Sequence, residues 1–431
     1  MFVVSIFIVY ILYFLMNNFN LSLIGGALFN ILPWTRVLAR VGPEATAYCF
    51  ASACFLFSLY HLLNKGKTFS LIFCLISLAI LYLSYPPGLL LAPLLAICLP
   101  ILLTKHSSEY KGLSIKILLF GLIFLGLLFI DFHNDGGFKE SISRAQNAQG
   151  LSGIASFDLK TLSATLYSRA KIYAGNYLGY LSPQFLFISG DSNLRHNSGF
   201  GGQLFVSLIF AFYFGLFFVI EKVKNLNMKI LLAYLLIAAL PASITLEGSL
   251  EAITRLPLHG LRSSCILPPI AVILILGLFE IYKRKRLLGI LYLILIAVNS
   301  YLFYSDYFNV YPKRARAFDD PGLRVVSRKA VSIIQRNPEK KLFFSSPFIT
   351  IQFHNLDKIG INSLVTGSGI LSNVYHYESR GNTEPQKGDL ILIHEPFPLE
   401  QIQKKYKFIS RIKNPALPTG QFGASLLEVT E

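Results

Sequence analysis

The feature that most constrains this chain is a succession of apolar runs almost free of charge. Ten follow one another, at 1–16, 21–33, 45–63, 68–83, 88–104, 115–130, 203–220, 229–246, 265–282 and 287–304. A bilayer's hydrocarbon core takes about 20 apolar residues of helix, and fewer when a span is short. Backbone in hydrocarbon must bond within its own segment, so such runs are helices. The run 21–33 is short, and 68–83 and 88–104 nearly meet at Pro86-Pro87. Apolar residues make up 53% of the 431 and charged residues 14%, with a mean hydropathy of +0.54. A soluble domain needs roughly 25% charged residues to face water. A wholly soluble protein is therefore excluded, and so is a disordered one.

The five cysteines, Cys49, Cys54, Cys74, Cys98 and Cys265, all lie in apolar runs and show no metal-ligand spacing. They read as small buried hydrophobes. No Walker loop, HExxH, GxSxG or paired CxxC occurs.

The net charge is +16. From Asp306 onward there are 17 Lys and Arg against 12 Asp and Glu, and before it 22 against 11. The excess sits in short turns. Lys283, Arg284, Lys285 and Arg286 form one; Lys222, Lys224 and Lys229 another; Lys65 and Lys67 a third; Lys105, Lys111 and Lys116 a fourth. If the ten runs alternate, all four fall on one side, which the distribution of Lys and Arg assigns to the cytoplasm. This pattern fits membrane orientation and anionic lipid, not nucleic acid.

The outer side then receives residues 34–44, the loop 131–202, the loop 247–264, everything after Asp306, and Met1 itself. From about 313 the character changes. KLFFSS, FITIQF, DLILIH and SLLEV are short and β-prone, and 322–336 reads as an amphipathic helix. The expected architecture is mostly α: a polytopic transmembrane helix bundle over 1–312 of an inner-membrane protein, followed by a small extracytoplasmic α/β domain over 313–431.

Three outer clusters carry polar groups beside the membrane, where burying them is costly and usually functional. In the first, PWTRVLARVGPE, Arg36 and Arg40 share a face if the piece is helical, and Glu44 is placed to pair with Arg40. An interfacial turn with Trp34 as anchor and snorkelling arginines is the alternative. The second, LSPQFLFISGDSNLRH, gathers Asp191, Asn193, Arg195 and His196 before the glycine run 199–202. Its alternative is an ordered loop with Asp191 capping a turn. The third, RLPLHGLR, places Arg255, His259 and Arg262 at the mouth of the bundle. Arginine donates paired bonds to phosphate oxygens, which suits a lipid-borne phosphate; interfacial anchoring is the alternative.

At these clusters the chain resembles the bacterial membrane glycosyltransferases of the GT-C superfamily, related to protein O-mannosyltransferases and the lipid A aminoarabinose transferase. ILPWTRVLARVGPEA is similar to the family's PW stretch at Trp34, Arg40 and Glu44, with Ala39 where Ser is usual. LSPQFLFISGDSNLRHNSGFGGQLF is similar to its long loop motif. HGLRSSCILPPIAVILILGL covers His259 and Arg262. LSYPPGLLLAPLL keeps Tyr85 and Pro93 but has Leu89 in place of Arg. The similarity spans about residues 1–330.

The resemblance implies sugar transfer from a polyprenyl-phosphate donor to an outer-face acceptor, whether protein, lipid or glycan, by direct inverting displacement. It implies a carboxylate base, basic groups on the departing phosphate, and in some members a divalent metal. Arg255, His259 and Arg262 would hold the phosphate; Trp34, Arg40, Glu44, Tyr85, Asp191, Asn193, Arg195 and His196 would shape the site. The family's key acidic residue lies between its first and second spans. Here 1–16 aligns with the second span, and no acidic residue precedes Glu44. The expectation is a chain without its first span and catalytic loop, inactive unless another carboxylate substitutes. Asp131, Asp135, Glu140, Asp191, Glu247 and Glu251 are on the correct side, with Asp191 foremost. The rivals are a non-catalytic binder of lipid carriers and a transporter or flippase of lipid-linked sugars, which would need polar groups facing a midplane cavity.

Overall fold

The computed structural model describes residues 1–66, 68–133, 170–171, 173–244, 258–319, 321–337, 339–344, 374–376, 386–394, 406–413 and 422–430. The chain divides into two compact units, Met1–Tyr311 and Pro312–Glu431.

Local chemistry sets the breaks in the first unit. Helix α1 (Phe2–Met16) stops at Asn17, which takes a left-handed conformation with φ of 51°. Asparagine tolerates that better than most residues. Asn18 then caps α2 (Phe19–Ile31) by accepting from the Leu21 amide at 3.1 Å. Leu32, preceding a proline, is held extended. Pro33 opens α3 (Pro33–Val41), and the chain bends by 58° there. Pro43 opens α4 (Pro43–Lys65), which ends on the left-handed Gly66. Then come α5 (Thr68–Ser84), α6 (Gly88–His106) and α7 (Lys111–His133). After residues 173–208 follow α8 (Ile209–Glu221), α9 (Leu226–Ile244), α10 (Leu267–Arg284) and α11 (Arg286–Asn309).

Every one of the ten apolar runs is helical over most of its length, but they are not ten full spans. Among the described residues, six helices are long and apolar enough to cross a membrane: Pro43–Lys65, Gly88–His106, Ser108–Ile130, Leu226–Ile244, Ser264–Arg284 and Arg286–Asn309. A seventh forms if the bent pair Phe19–Ile31 and Pro33–Arg40 is taken as one. Phe2–Met16, Thr68–Ser84 and Val206–Glu221 stop short. The run 203–220 falls short because its first residues pair with a loop. The Gly202, Gln203 and Leu204 amides donate to the carbonyls of Phe187, Phe185 and Leu186 at 3.2, 3.3 and 2.7 Å. These helices make the chain a multi-pass membrane protein.

Helix α10 is the axis of the unit, with 89% of its apolar window buried against 22% for the windows of α7 and α11. It meets α8 through glycines. A Cβ at Gly215 would lie 2.1 Å from the Ile273 carbonyl oxygen, and one at Gly277 1.9 Å from that of Ala211. Only small residues allow backbones this close. Because successive helices reverse, the turns near 66, 107, 223 and 285 gather at one end. Helix α3, residues 182–205, the turn 258–264 and the end of α11 gather at the other.

The second unit is α/β. Helices α12 (Tyr311–Asp319, which begins at the boundary) and α13 (Pro321–Arg336) precede a five-stranded mixed sheet in the order β2-β1-β3-β5-β4. The strands are β1 (Leu342–Phe344), β2 (Val374–His376), β3 (Leu390–His394), β4 (Tyr406–Lys413) and β5 (Phe422–Val429). β1 runs parallel to β2 and β3; β5 runs antiparallel to β3 and β4. Val326, Ala330, Val331 and Ile334 of α13 pack on Leu342, Leu390, Leu392 and Leu426. The expected helix and three of the four expected strand segments are present; FITIQF lies outside the described residues.

Candidate functional site

Two turns and one short helix build the site. Within residues 182–205, Gly190 adopts a φ of +66°, and a Cβ at Gly202 would overlap the Phe187 backbone at 2.4 Å. Asp191 follows. Its Oδ1 accepts from the Asn193 amide at 2.8 Å, and Asn193 Oδ1 accepts from the Arg195 amide at 2.9 Å. These two Asx turns are the conformation for which Asp and Asn side chains are suited.

The second oxygen of Asp191 leaves the loop. Oδ2 accepts from the Gly260 amide at 2.7 Å and lies 3.0 Å from His196 Nδ1. One buried carboxylate therefore ties residues 191–196 to the turn 258–264. The His196 ring stacks on that of His259 with centroids 4.0 Å apart and planes at 29°. Gly260 fits tightly here: a Cβ would come within 2.8 Å of Gln203 Nε2 and 3.1 Å of the His196 carbonyl oxygen. The His259 amide donates to Tyr180 Oη at 3.1 Å, and Ser264 Oγ donates to the Ala45 carbonyl of α4 at 2.9 Å.

Helix α3 closes the arrangement. Trp34 is fully buried, so it is no interfacial anchor. Its Nε1 donates to the Gly260 carbonyl at 3.1 Å, and its amide donates to the Gln203 carbonyl at 2.9 Å. Its ring stands edge-on to Phe185 at 5.8 Å. The helix is amphipathic, with Val37 and Leu38 buried and Arg36 and Arg40 exposed. Both arginines meet tyrosines at the end of α11 and at Tyr311, just beyond it. Arg36 Nε donates to Tyr304 Oη at 2.6 Å. Arg40 donates to Tyr311 Oη and lies 4.5 Å from the centre of that ring and 5.8 Å from that of Tyr307. Tyr311 Oη in turn donates to the Leu194 carbonyl at 2.6 Å. Cation–π contact of this kind is worth about 0.5–1 kcal/mol at exposed sites.

The three sequence clusters thus meet at one end of the bundle. Trp34, Asp191, Asn193, His196 and His259 are brought together directly, and the Arg262 amide lies 3.4 Å from His259 Nδ1. Arg40 joins through Tyr311. Glu44 is exposed and makes no pair with Arg40, whose guanidinium is turned toward the tyrosines instead. Arg195 is exposed. Tyr85 packs on Tyr48 of α4, with ring centres 5.9 Å apart. Arg255, Asp135, Glu140, Glu247, Glu251 and the side chain of Asp131 lie outside the described residues.

Sequence reasoning did not single out Tyr180, Gln203, Tyr304, Tyr307 or Tyr311. The tyrosines recur at 304, 307 and 311, a helical stripe that was legible; Gln203 carried no signal of its own. Both ends of the Gln203 amide are buried and without a hydrogen-bond partner.

Electrostatically, His259 is held neutral. Burial first, then the neighbouring His196 and Arg262, push its pKa down to about 2. Asp191, His196 and His259 each offer a ligand atom, all within 4.8 Å of one another. Beside the cluster, between α11 and residues 187–206, lies a cavity of about 210 Å3 whose lining is mostly apolar, including Pro33, Phe200, Phe205 and Phe303. No protein-family model matches the chain, and no curated protein does.

Proposed function

We propose that the chain is a membrane glycosyltransferase of GT-C type, taking a sugar from a polyprenyl-phosphate donor at the outer face of the inner membrane. The observation that carries this reading is the convergence at one end of an apolar bundle of residues drawn from 34–40, 191–203 and 258–264, with Asp191 and Trp34 both bound to Gly260. Basic turns crowd the opposite end, which fits a cytoplasmic assignment for that end and an outer assignment for the site. The apolar cavity beside the cluster suits the first units of an isoprenoid chain.

In this reading Arg262, with Arg255, meets the lipid phosphate as the bond from the anomeric carbon to the phosphate oxygen breaks. Guanidinium groups neutralise the charge that develops on the leaving oxygens, and they do so most effectively where water is scarce. The acceptor oxygen attacks the anomeric carbon from the opposite side and gives its proton to a carboxylate. Asp191 is the carboxylate tied to the turn that carries Arg262, and it positions that turn through the Gly260 amide. Arg40 is held by Tyr307 and Tyr311 at the edge of the same end.

The test is transfer from a labelled polyprenyl-phosphate sugar in membranes holding the chain. Arg262→Ala should abolish it, and unchanged turnover would remove the phosphate role. A second reading, a binder of lipid carriers that performs no chemistry, is favoured by one observation: the buried carboxylate of the site is fully engaged by donors. Carrier binding without transfer in the same membranes selects it. The transporter reading would need polar groups facing a midplane cavity; Tyr234 Oη and Ser52 Oγ, buried among the described helices, instead bond to one another at 2.7 Å.

A further inference from the structure

We propose that Asp191, His196 and His259 form a divalent-cation site, with zinc, cobalt(II) or manganese(II) as the ions its donor set suits. The three residues come from the two turns that the cluster joins, and all three are buried. Two imidazole nitrogens and a carboxylate are a common ligand set for such ions, with the remaining position left to water or a substrate oxygen.

The hydrogen bonding supports this. Asp191 Oδ2 and His196 Nδ1 are 3.0 Å apart and share one proton. Ligand atoms bound to one tetrahedral ion at about 2.1 Å stand roughly 3.4 Å apart. A cation therefore takes the place of that proton with little movement of either side chain. Asp191 Oδ2 keeps its second lone pair for the Gly260 amide, and Oδ1 keeps the Asn193 amide. Those two bonds orient the carboxylate as outer partners do at metal centres. His259 is the residue that must adjust. Its ring lies nearly parallel to that of His196, and imidazole lone pairs lie in the ring plane, so the His259 ring must turn out of the stack to close separations of up to 4.8 Å by up to about 1.4 Å.

An independent observation points to a bound species. Gln203 packs against Gly260, is 1% exposed, and has neither end of its amide bonded. Buried polar groups are nearly always satisfied. A water on the cation gives Gln203 the partner it lacks.

The site lies within the cluster on which the proposed function rests, and its test uses the metal alone, so that the two readings can fail separately. Purified full-length chain, without a polyhistidine tag, is stripped with chelator and titrated with zinc. Cobalt(II) serves as the spectroscopic probe. One ion per chain is expected, with a visible d–d band for cobalt in a site of low coordination number. Added zinc should also raise the midpoint of thermal unfolding, as any ligand of the native state does. His196→Asn and His259→Gln should each lose the band and the zinc-dependent shift while keeping the wild-type helical content. His106→Asn, at an exposed position, should keep both. Absence of stoichiometric binding in the wild type overturns the proposal. So does binding that persists in both His196→Asn and His259→Gln. Should those variants misfold, Gln203→Leu gives a second reading. It leaves all three ligands in place, and a cobalt spectrum identical to wild type in both shape and affinity counts against the water that Gln203 is inferred to meet. Metal binding without sugar transfer would leave this site standing and the proposed reaction refuted.

Discussion

The two ends of the helix bundle handle charge in opposite ways. At one, the turns near 66, 107, 223 and 285 are short, and Lys65, Lys105, Lys111, Lys222, Lys224, Lys283 and Lys285 stand in solvent, with local partners such as Glu280 for Lys283 at 3.1 Å and the Phe214 ring for Arg284. At the other, one carboxylate is drawn inside, and exposed arginines lie against aromatic rings. Asp191 is 5% exposed and bonded to three donors, two histidines stack beside it, and the arginines of α3 lie against tyrosines. Exposed charges that touch little cost little, and their effect is on orientation. Buried charges are costly unless fully partnered, so such a web persists only where it holds geometry or binds something. The difference separates topology from chemistry within one molecule.

Four substitutions or conditions sharpen that contrast. The largest effect is expected from Asp191→Ala, which orphans the Gly260 and Asn193 amides and strips His196 Nδ1 of its carboxylate. A loss of about 3–5 kcal/mol in stability is expected, together with loss of any activity of the site. Denaturation in detergent measures it, and a change below about 1 kcal/mol would mean that the web is ornamental.

Next is pH. His259 binds a proton near pH 6.5 when unfolded but only near pH 2 when folded. Between those values the unfolded state holds the extra proton, so stability is full above 6.5 and falls as pH is lowered through this window. The slope is about 1.4 kcal/mol per unit. The metal-free protein should therefore melt lower at about pH 5 than at about pH 7, and His259→Gln should flatten that dependence.

Trp34→Phe keeps the ring packing but strips the donor from the buried Gly260 carbonyl. It is expected to cost about 1–2 kcal/mol, and a melting curve measures the loss. Smallest is Lys222→Gln with Lys224→Gln. Stability should move by less than about 0.5 kcal/mol. A reporter fused in that turn should nonetheless show mixed orientation. If this pair destabilised the protein as strongly as Asp191→Ala, the two ends would not differ as described.

Much of this was legible in the residues. Charge-poor runs locate α1, α2 and α4 to α11, though not α3 or the helical residues 173–180, since hydrocarbon leaves backbone no other choice. Span lengths were less legible. The run 203–220 is uniformly apolar after Gln203, yet its first residues bond to 185–187, and hydropathy does not distinguish a loop pairing from a helix. Pro33 announced where α2 breaks. In the site, Asp191 and His196 stood out because polar residues at a bundle mouth need partners. That one partner of Asp191 is a backbone amide 69 residues away has no signature in spacing. The expected Arg40–Glu44 pair failed because spacing along a helix ranks only local partners. The tyrosines that meet Arg36 and Arg40 arrive 268 and 271 positions later. Gln203 was invisible, being one polar residue beside an apolar stretch.

The glycine contact between α8 and α10 carries a mechanical consequence. With backbone atoms of Ala211, Gly215, Ile273 and Gly277 already touching, these two helices have no slack to slide or rotate against each other. They form a rigid spine, and the turn 258–264 is rooted directly in its α10 half. Movement between helices is then left to elements outside this pair, such as α7 and α11, whose apolar windows are only 22% buried.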